Sequence, residues 1–201
     1  MRLPALGDNV PRRGNGASRL LGRLILRWRG FRVEGEVPNV PRCVAIVAPH
    51  TSNWDFVVGI GALLALGLRG RWLGKHSLFR PPLGGLFFWA GGIPVYRANA
   101  EGVVEEAVAS LREAEPFIPA LAPEGTRTRV PRWKTGYHRI AHGAGVPIWP
   151  VALDYRSRVV RLHPPLAPTG DLEADEARLQ LLFTAAMASH PEGYGVESRP
   201  I

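Results

Sequence analysis

Residues 42–68 read RCVAIVAPHTSNWDFVVGIGALLALGL. The two halves of this stretch follow different patterns. Arg42 to Ala48 is a short apolar run rich in β-branched residues, which reads as a buried strand. The chain turns at Pro49. Ser52 then stands as a helix N-cap, and Asp55, three residues on, supplies the acid that a first helical turn favours. Phe56 to Leu68 continues as a mostly buried helix in spite of Gly59 and Gly61.

The same alternation continues downstream. Arg71 to Lys75 reads as a short strand, His76 to Pro82 as a loop and Ile93 to Tyr96 as another strand. Between them, Leu86, Phe87, Phe88 and Trp89 form the densest aromatic patch, suited to an apolar groove, to contact with lipid or to ordinary core packing. Glu101 to Glu113 has helical spacing, with Val104, Val108 and Leu111 inward. Phe117 to Ala122 is a strand, Thr135 to His142 a helix, and Pro147 to Leu153 and Val159 to His163 are strands. Asp171, Glu173, Asp175 and Glu176 open a last helix, expected to run to about Ser189, where their charges suit its dipole. Strands alternating with helices predict an α/β class: one domain with a mixed, largely parallel sheet flanked by helices.

Upstream, residues 1–16 carry Gly, Pro and Arg without periodicity and read as a mobile tail. In ASRLLGRLILRWRG, Leu20, Leu21, Leu24, Ile25 and Trp28 recur at helical spacing, while Arg19, Arg23, Arg27 and Arg29 take other positions with no acid among them. That is a basic amphipathic helix of the kind that lies on an anionic membrane surface; a helix packed on the domain with its arginines solvated is the other reading. FRVEGEVPNVP reads as an extended approach segment. The expected division is therefore a basic tail and amphipathic helix over 1–30 and a main domain over 31–201.

The chain has 201 residues, 46% of them hydrophobic and 21% charged, enough for one domain with a full core. A formal net charge of +8 favours anionic partners. Cys43, the one cysteine, allows no internal disulfide and fits a reducing compartment; in the run CVAIVA it reads as core. No apolar leader followed by a small-residue cleavage site is apparent. The uncharged runs 56–68 and 81–96 fall short of the roughly 20 apolar residues of a membrane span. A cytoplasmic protein, peripheral on the inner face of the membrane, is the expectation.

A histidine that takes a proton from an alcohol needs a carboxylate to fix its tautomer and support the imidazolium. His50 and Asp55 supply that pair as H-x4-D; a loop histidine and a helix-capping aspartate are the plain alternatives. PEGTR follows at Pro123 to Arg127. His138 and His142 are spaced i, i+4 but lack the glutamate and third ligand of a zinc helix, so no metal is assigned.

Taken in order, HTSNWD (50–55), GGIPVYR (91–97), APEGTR (122–127) and VPIWPV (146–151) resemble four blocks of the glycerolipid acyltransferase family. The first and third blocks carry the specificity. Pro49 and Ala122 depart from the family's common asparagine and phenylalanine at those positions. The resemblance implies the fold of the glycerol-3-phosphate acyltransferases. It also implies transfer of an acyl group from acyl-CoA or acyl carrier protein to a hydroxyl of a lysophospholipid of the lysophosphatidate type, in phospholipid biosynthesis. His50 is then the general base and Asp55 the holder of its other ring nitrogen. Arg97, Arg127 and Lys134 contact acceptor phosphate, and Gly125 lets backbone approach the ligand. Glu124 binds a glycerol hydroxyl or orients Arg127, and Thr126 lies in the same acceptor block. The acyl donor is a co-substrate, and no cofactor is implied.

Two other readings stand beside this one. An acyltransferase for a glycolipid or aminolipid hydroxyl would share the dyad, but Arg97, Arg127 and Lys134 favour a phosphorylated acceptor. A basic nucleic-acid-binding protein would suit the charge and the interleaved Trp and Arg. The sequence holds no helix-turn-helix, finger or RNP-like pattern, and that reading leaves H-x4-D and PEGTR unexplained.

Overall fold

In the computed structural model, which describes residues 1–95 and 100–195, the apolar run of the opening stretch is β2 (Val44–Ala48), and the segment after it is α2 (Asn53–Leu66). Val44, Ile46 and Ala48 enter one core cluster, while Cys43, Ala45 and Val47 pack with the other. Both faces of β2 are covered, which is why the strand reads as an unbroken apolar run. Burial pushes the Cys43 thiol up to about 12, so it behaves as packing and not as a nucleophile.

The described residues form one sheet of seven strands. The others are β1 (Arg32–Gly35), β3 (Gly70–Lys75), β4 (Gly92–Val95), β5 (Ile118–Leu121), β6 (Ile148–Asp154) and β7 (Val159–Leu162). Their order is β1-β7-β6-β2-β5-β3-β4, with every neighbouring pair parallel except β6 and β7. The approach segment read as merely extended thus contributes an edge strand, β1, in parallel register with β7. Helix α1 (Gly16–Trp28) lies on α2 over one face of the sheet. α4 (Ala100–Glu113), α5 (Gly136–Ala144) and α6 (Leu172–Gln180) cover the other face, through Leu111, Ile140 and Leu179. A short α3 (Gly84–Trp89) precedes β4. The expected α/β layers and largely parallel sheet are present.

The tail expected to be mobile over residues 1–16 is instead laid along the domain. Val10 is buried in the core, Arg13 N–H donates to the Gly67 carbonyl at 2.9 Å, and its guanidinium donates to the Trp89 carbonyl at 2.7 Å. Apolar Val10 and the pairing of Arg12 with Leu68 override the lack of periodicity. α1 is likewise part of the fold. Leu26 is fully buried, and a Cβ added at Gly22 would lie 2.3 Å from the Ala65 nitrogen and 2.6 Å from the Gly61 oxygen. The two helices therefore meet backbone to backbone at paired glycines.

The last helix is shorter than expected. It ends at Gln180, not near Ser189. Leu182 and Phe183 N–H donate three residues back, and Phe183 turns inward onto Trp133 at 5.7 Å while Leu181 is left 83% exposed. Burying Phe183 outweighs continuing the helix. The front of α6 is fixed by Asp175, fully buried, which accepts from the Thr169 N–H at 2.7 Å and meets His138 Nε2 at 3.0 Å. His138 is thus tied to a carboxylate across α5 and α6.

Candidate active site

The turn from β2 to α2 is organised by one carboxylate. Asp55 Oδ2 accepts the backbone N–H groups of Thr51 and Ser52, each at 2.7 Å, and lies 3.3 Å from His50 Nδ1. Ser52 in turn accepts the Trp54 N–H through its hydroxyl at 3.2 Å, which completes a capping box. The capping reading and the catalytic reading of Asp55 are therefore compatible in a single group. It is 2% exposed and sits at a helix N-terminus, where the dipole favours its charge. With Nδ1 turned to Asp55, Nε2 of the half-buried His50 is left as the ring's other face for chemistry.

The turn after β5 brings in the second block. Because β2 and β5 are parallel neighbours, their carboxyl ends deliver His50 and Glu124 side by side. Glu124 Oε1 accepts the His50 backbone N–H at 3.0 Å, and Oε2 is buried without a partner. Glu124 is 4% exposed and faces His50, not Arg127. Gly125 adopts φ +65°, the left-handed region where a side chain is strained, and a Cβ there would lie 2.7 Å from the Lys134 stem. Lys134 thus lies across the turn, held by its own N–H on the Pro123 carbonyl at 2.8 Å. Arg127 is exposed, and the exposed Thr126 hydroxyl pairs with that of Thr128 at 3.2 Å. Arg97 lies outside the described residues.

Burial pushes the Glu124 carboxyl from 4.5 to about 7, against the His50 N–H bond and the His50 charge, which hold it down, and with Asp55, which adds to the rise. The folded protein keeps a proton here that the unfolded chain has already released, so stability declines as pH rises from about 4.5 through 7. Glu124→Gln keeps the acceptor for the His50 N–H and removes the ionisation. The variant is expected to melt higher than wild type by roughly 5 °C or more at pH 8 and to show no gain at pH 4.5. Thermal melts at the two pH values check this; an equal difference at both would mean that Glu124 ionises without penalty.

Beside His50 and Asp55 opens an apolar cavity of about 190 Å³ between α2 and the sheet, with Phe56, Leu63, Trp72, Ala120 and Val151 among its walls. Small residues on both sides leave the space: Gly59 and Ala62 on α2 and Ala45 and Ala120 on the sheet. A Cβ added at Gly59 would meet nothing within 4 Å. Phe87 of α3 turns inward to Phe56 and Trp72 at 5.7 and 5.8 Å, while Leu86, Phe88 and Trp89 point outward, about half exposed. The aromatic patch thus divides between the cavity's outer wall and the surface.

The far side of the site is closed by a segment that no motif flagged. His190 N–H donates to the Thr51 hydroxyl at 3.1 Å, and Gly193 runs against Thr51 and the Arg127 carbonyl. Burial, and then the nearby Glu124 carboxylate, push the Tyr194 hydroxyl upward. Thr51 was within the first block and could have been singled out as a hydroxyl next to His50. Nothing local marks His190 to Tyr194.

A family model described as Acyltransferase matches residues 31–154. The chain is 32% identical over 154 residues to 1-acyl-sn-glycerol-3-phosphate acyltransferase of Escherichia coli (strain K12), covering 72% of this chain and 61% of that protein. It is 29% identical over 156 residues to the enzyme of the same name from Haemophilus influenzae, covering 73% and 63%. The chain thus spans about three fifths of the length of these curated relatives. Among solved structures, the 1-acyl-sn-glycerophosphate (LPA) acyltransferase PlsC of Thermotoga maritima superposes with a TM-score of 0.59 at 21% identity, over 82% of this chain and 76% of that one, a likeness of fold.

Proposed function

The chain belongs to the acyltransferase family, and from that premise we propose that it transfers an acyl group from acyl-CoA or acyl carrier protein to a hydroxyl of a lysophospholipid of the lysophosphatidate type. The observation that carries this reading is the His50–Asp55 pair at 3.3 Å, opening onto an apolar cavity on one side and the Glu124–Lys134 turn on the other. His50 Nε2 takes the proton of the acceptor hydroxyl as its oxygen attacks the thioester carbonyl carbon. The C–S bond breaks, and the departing thiolate takes the proton from His50. Asp55 holds the imidazolium between the two events. The acyl chain lies in the cavity beside Phe56 and Trp72. Lys134 and Arg127, a cation over a glycine turn and an exposed guanidinium fork, suit an acceptor phosphate. Arg97 belongs to the same proposal on sequence alone.

The acceptor is a lipid, so the working place is a cytoplasmic, anionic membrane surface. Among the described residues no helix is long and apolar enough to cross a membrane. Leu20, Leu21, Leu24 and Trp28 form an exposed stripe on α1, and Leu78, Leu83, Leu86, Phe88 and Trp89 form a second exposed apolar patch around α3. Trp54 and Phe56 of α2 link the two, packing on Trp28 at 5.7 Å and Phe87 at 5.7 Å, and both lie next to Asp55. Contact with lipid there would set the mouth of the cavity at the bilayer surface.

The test is acyl transfer by purified protein from labelled acyl-CoA or acyl carrier protein to a panel of lysolipids, with products identified by mass. Lysophosphatidate is expected to be the preferred acceptor, and a preference for a neutral glycolipid would overturn that choice. Arg127→Ala and Lys134→Ala are each expected to raise the acceptor KM by about tenfold or more, the value of one charge-assisted contact, with the donor KM little changed. A shift in the donor KM instead would assign these cations to the donor's phosphates.

A further inference from the structure

Asp55 has one crowded oxygen and one idle one. Oδ2 takes two backbone N–H groups and faces His50 Nδ1, whereas Oδ1 is buried without a hydrogen-bond partner. The hydroxyl of Tyr155 is also buried and without a partner. Tyr155 follows β6, on the turn that leads to β7. Its ring packs edge-on against Phe31 at 5.0 Å under the Arg158 guanidinium, and its N–H donates to the Met187 carbonyl at 2.8 Å. So held, the phenol faces the Asp55 carboxylate. A buried phenol beside a buried carboxylate with one idle oxygen, neither atom having a partner, carries two desolvation penalties that a single bond would remove.

We propose that Tyr155 is a positioning residue for acyl transfer, its hydroxyl donating to Asp55 Oδ1 and so fixing the plane of the carboxylate that orients His50. The proposal rests on the reading of His50 as the general base. Burial first, and then Asp55, push the phenol's proton loss above the ordinary range, with Arg29 and Arg158 opposing, so Tyr155 stays a donor at neutral pH. Glu124, from the turn after β5, is a further titratable group close to this carboxylate. A phenol on Oδ1 draws charge from Asp55 and holds the plane of the carboxylate, so that Oδ2 stays aimed at His50 Nδ1. Tyr155 lies one residue beyond the segment that the family model matches, so the family blocks hold the base and its carboxylate while this chain's following turn holds the group behind them.

Tyr155→Phe keeps the ring against Phe31 and removes only the hydroxyl. Two readouts are taken: steady-state kinetics across pH, and the titration of the His50 imidazole by NMR of histidine-labelled protein, which needs no turnover. Without the phenol, Asp55 bears more charge and stabilises the imidazolium more strongly. The His50 titration, and with it the acid limb of kcat, is expected to move up by about half a unit. At the same time kcat is expected to fall about tenfold, with both KM values near wild type and a Tm lower by about a few degrees, because Oδ1 loses its donor. A His50 titration that stays at its wild-type value overturns the proposal, whatever happens to kcat. So does an unchanged kcat in an enzyme that turns over. If wild type transfers no acyl group to any lysolipid, the functional reading fails on its own, and the NMR titration still decides the role of Tyr155.

Discussion

His50→Ala is expected to lower kcat for acyl transfer by about 10² to 10⁴, the usual loss when a general base is removed, with the acceptor KM near wild type. The geometry makes this substitution unusually clean. Glu124 is held by the His50 backbone N–H and not by its ring, so alanine keeps that bond. Asp55 still accepts the Thr51 and Ser52 N–H groups and still caps α2. The loop therefore keeps its shape, and the change is confined to the proton acceptor. Kinetics with acyl donor and lysophosphatidate, alongside a thermal melt, check it. A variant that melts like wild type and turns over near the wild-type rate would remove His50 from the chemistry. Asp55→Asn, by contrast, is expected to lower both kcat and Tm, because a neutral amide supports the imidazolium less and weakens the charge-assisted bonds to the Thr51 and Ser52 N–H groups at the start of α2. A loss of Tm there, absent in His50→Ala, would separate the two roles of the carboxylate.

What could be read from the chain was what is local. Val44–Ala48 and Asn53–Leu66 follow from pattern and cap, because strand burial and a capping box are decided within a few residues. The pairing of His50 with Asp55 was legible for the same reason: Ser52 and Asp55 sit three apart, and the bonds that fix the turn span three or four residues. The rest of the site is made by distant segments. The bond from His50 to Glu124 joins positions 74 apart in sequence, and that from His190 to Thr51 spans 139. Neither carries a local signature, and the role given to Glu124 beforehand, a partner of acceptor or Arg127, took no account of the His50 amide. The glycines of α2 show the same limit. Gly59 and Gly61 weaken a helix when read alone. In the fold Gly61 admits α1, through Ile25 at 2.8 Å from a would-be Cβ, and Gly59 leaves the cavity open. The last helix was overdrawn because its acidic start is a strong local signal, whereas its stop depends on Phe183 finding Trp133.

Replacing Leu20, Leu21, Leu24 and Trp28 together by serine is expected to lower binding to anionic vesicles by about 10² or more. The whole helix cannot be deleted to test this, because α1 faces two ways. Leu26 and Gly22 are buried against α2, and a chain cut after residue 29 would lose them from the core. The four stripe residues lie away from that seam, between 43% and 67% exposed, so serine there keeps Leu26 and Gly22 in place and removes from the α1–α2 packing the edge contact of Trp28 with Trp54, at a small cost in Tm. A fully buried side chain of this kind contributes about 1.5–3 kcal/mol, and partial immersion in a headgroup region a fraction of that. Even about 1 kcal/mol from each of four residues sums to more than two factors of ten at about 1.4 kcal/mol each. The exposed Arg23 and Arg27 remain in the variant, and near anionic lipid each adds about 1 kcal/mol, screened over about 8 Å at physiological salt. Residual binding should therefore become strongly salt-dependent, because the apolar contribution that salt does not screen has been removed. Vesicle sedimentation at low and physiological salt reads both effects, and activity on detergent-dispersed substrate should hold. If the variant sediments like wild type, α1 is an ordinary surface helix, and the contact with lipid falls to Leu83, Leu86, Phe88 and Trp89, where the same substitutions would then have to release the protein.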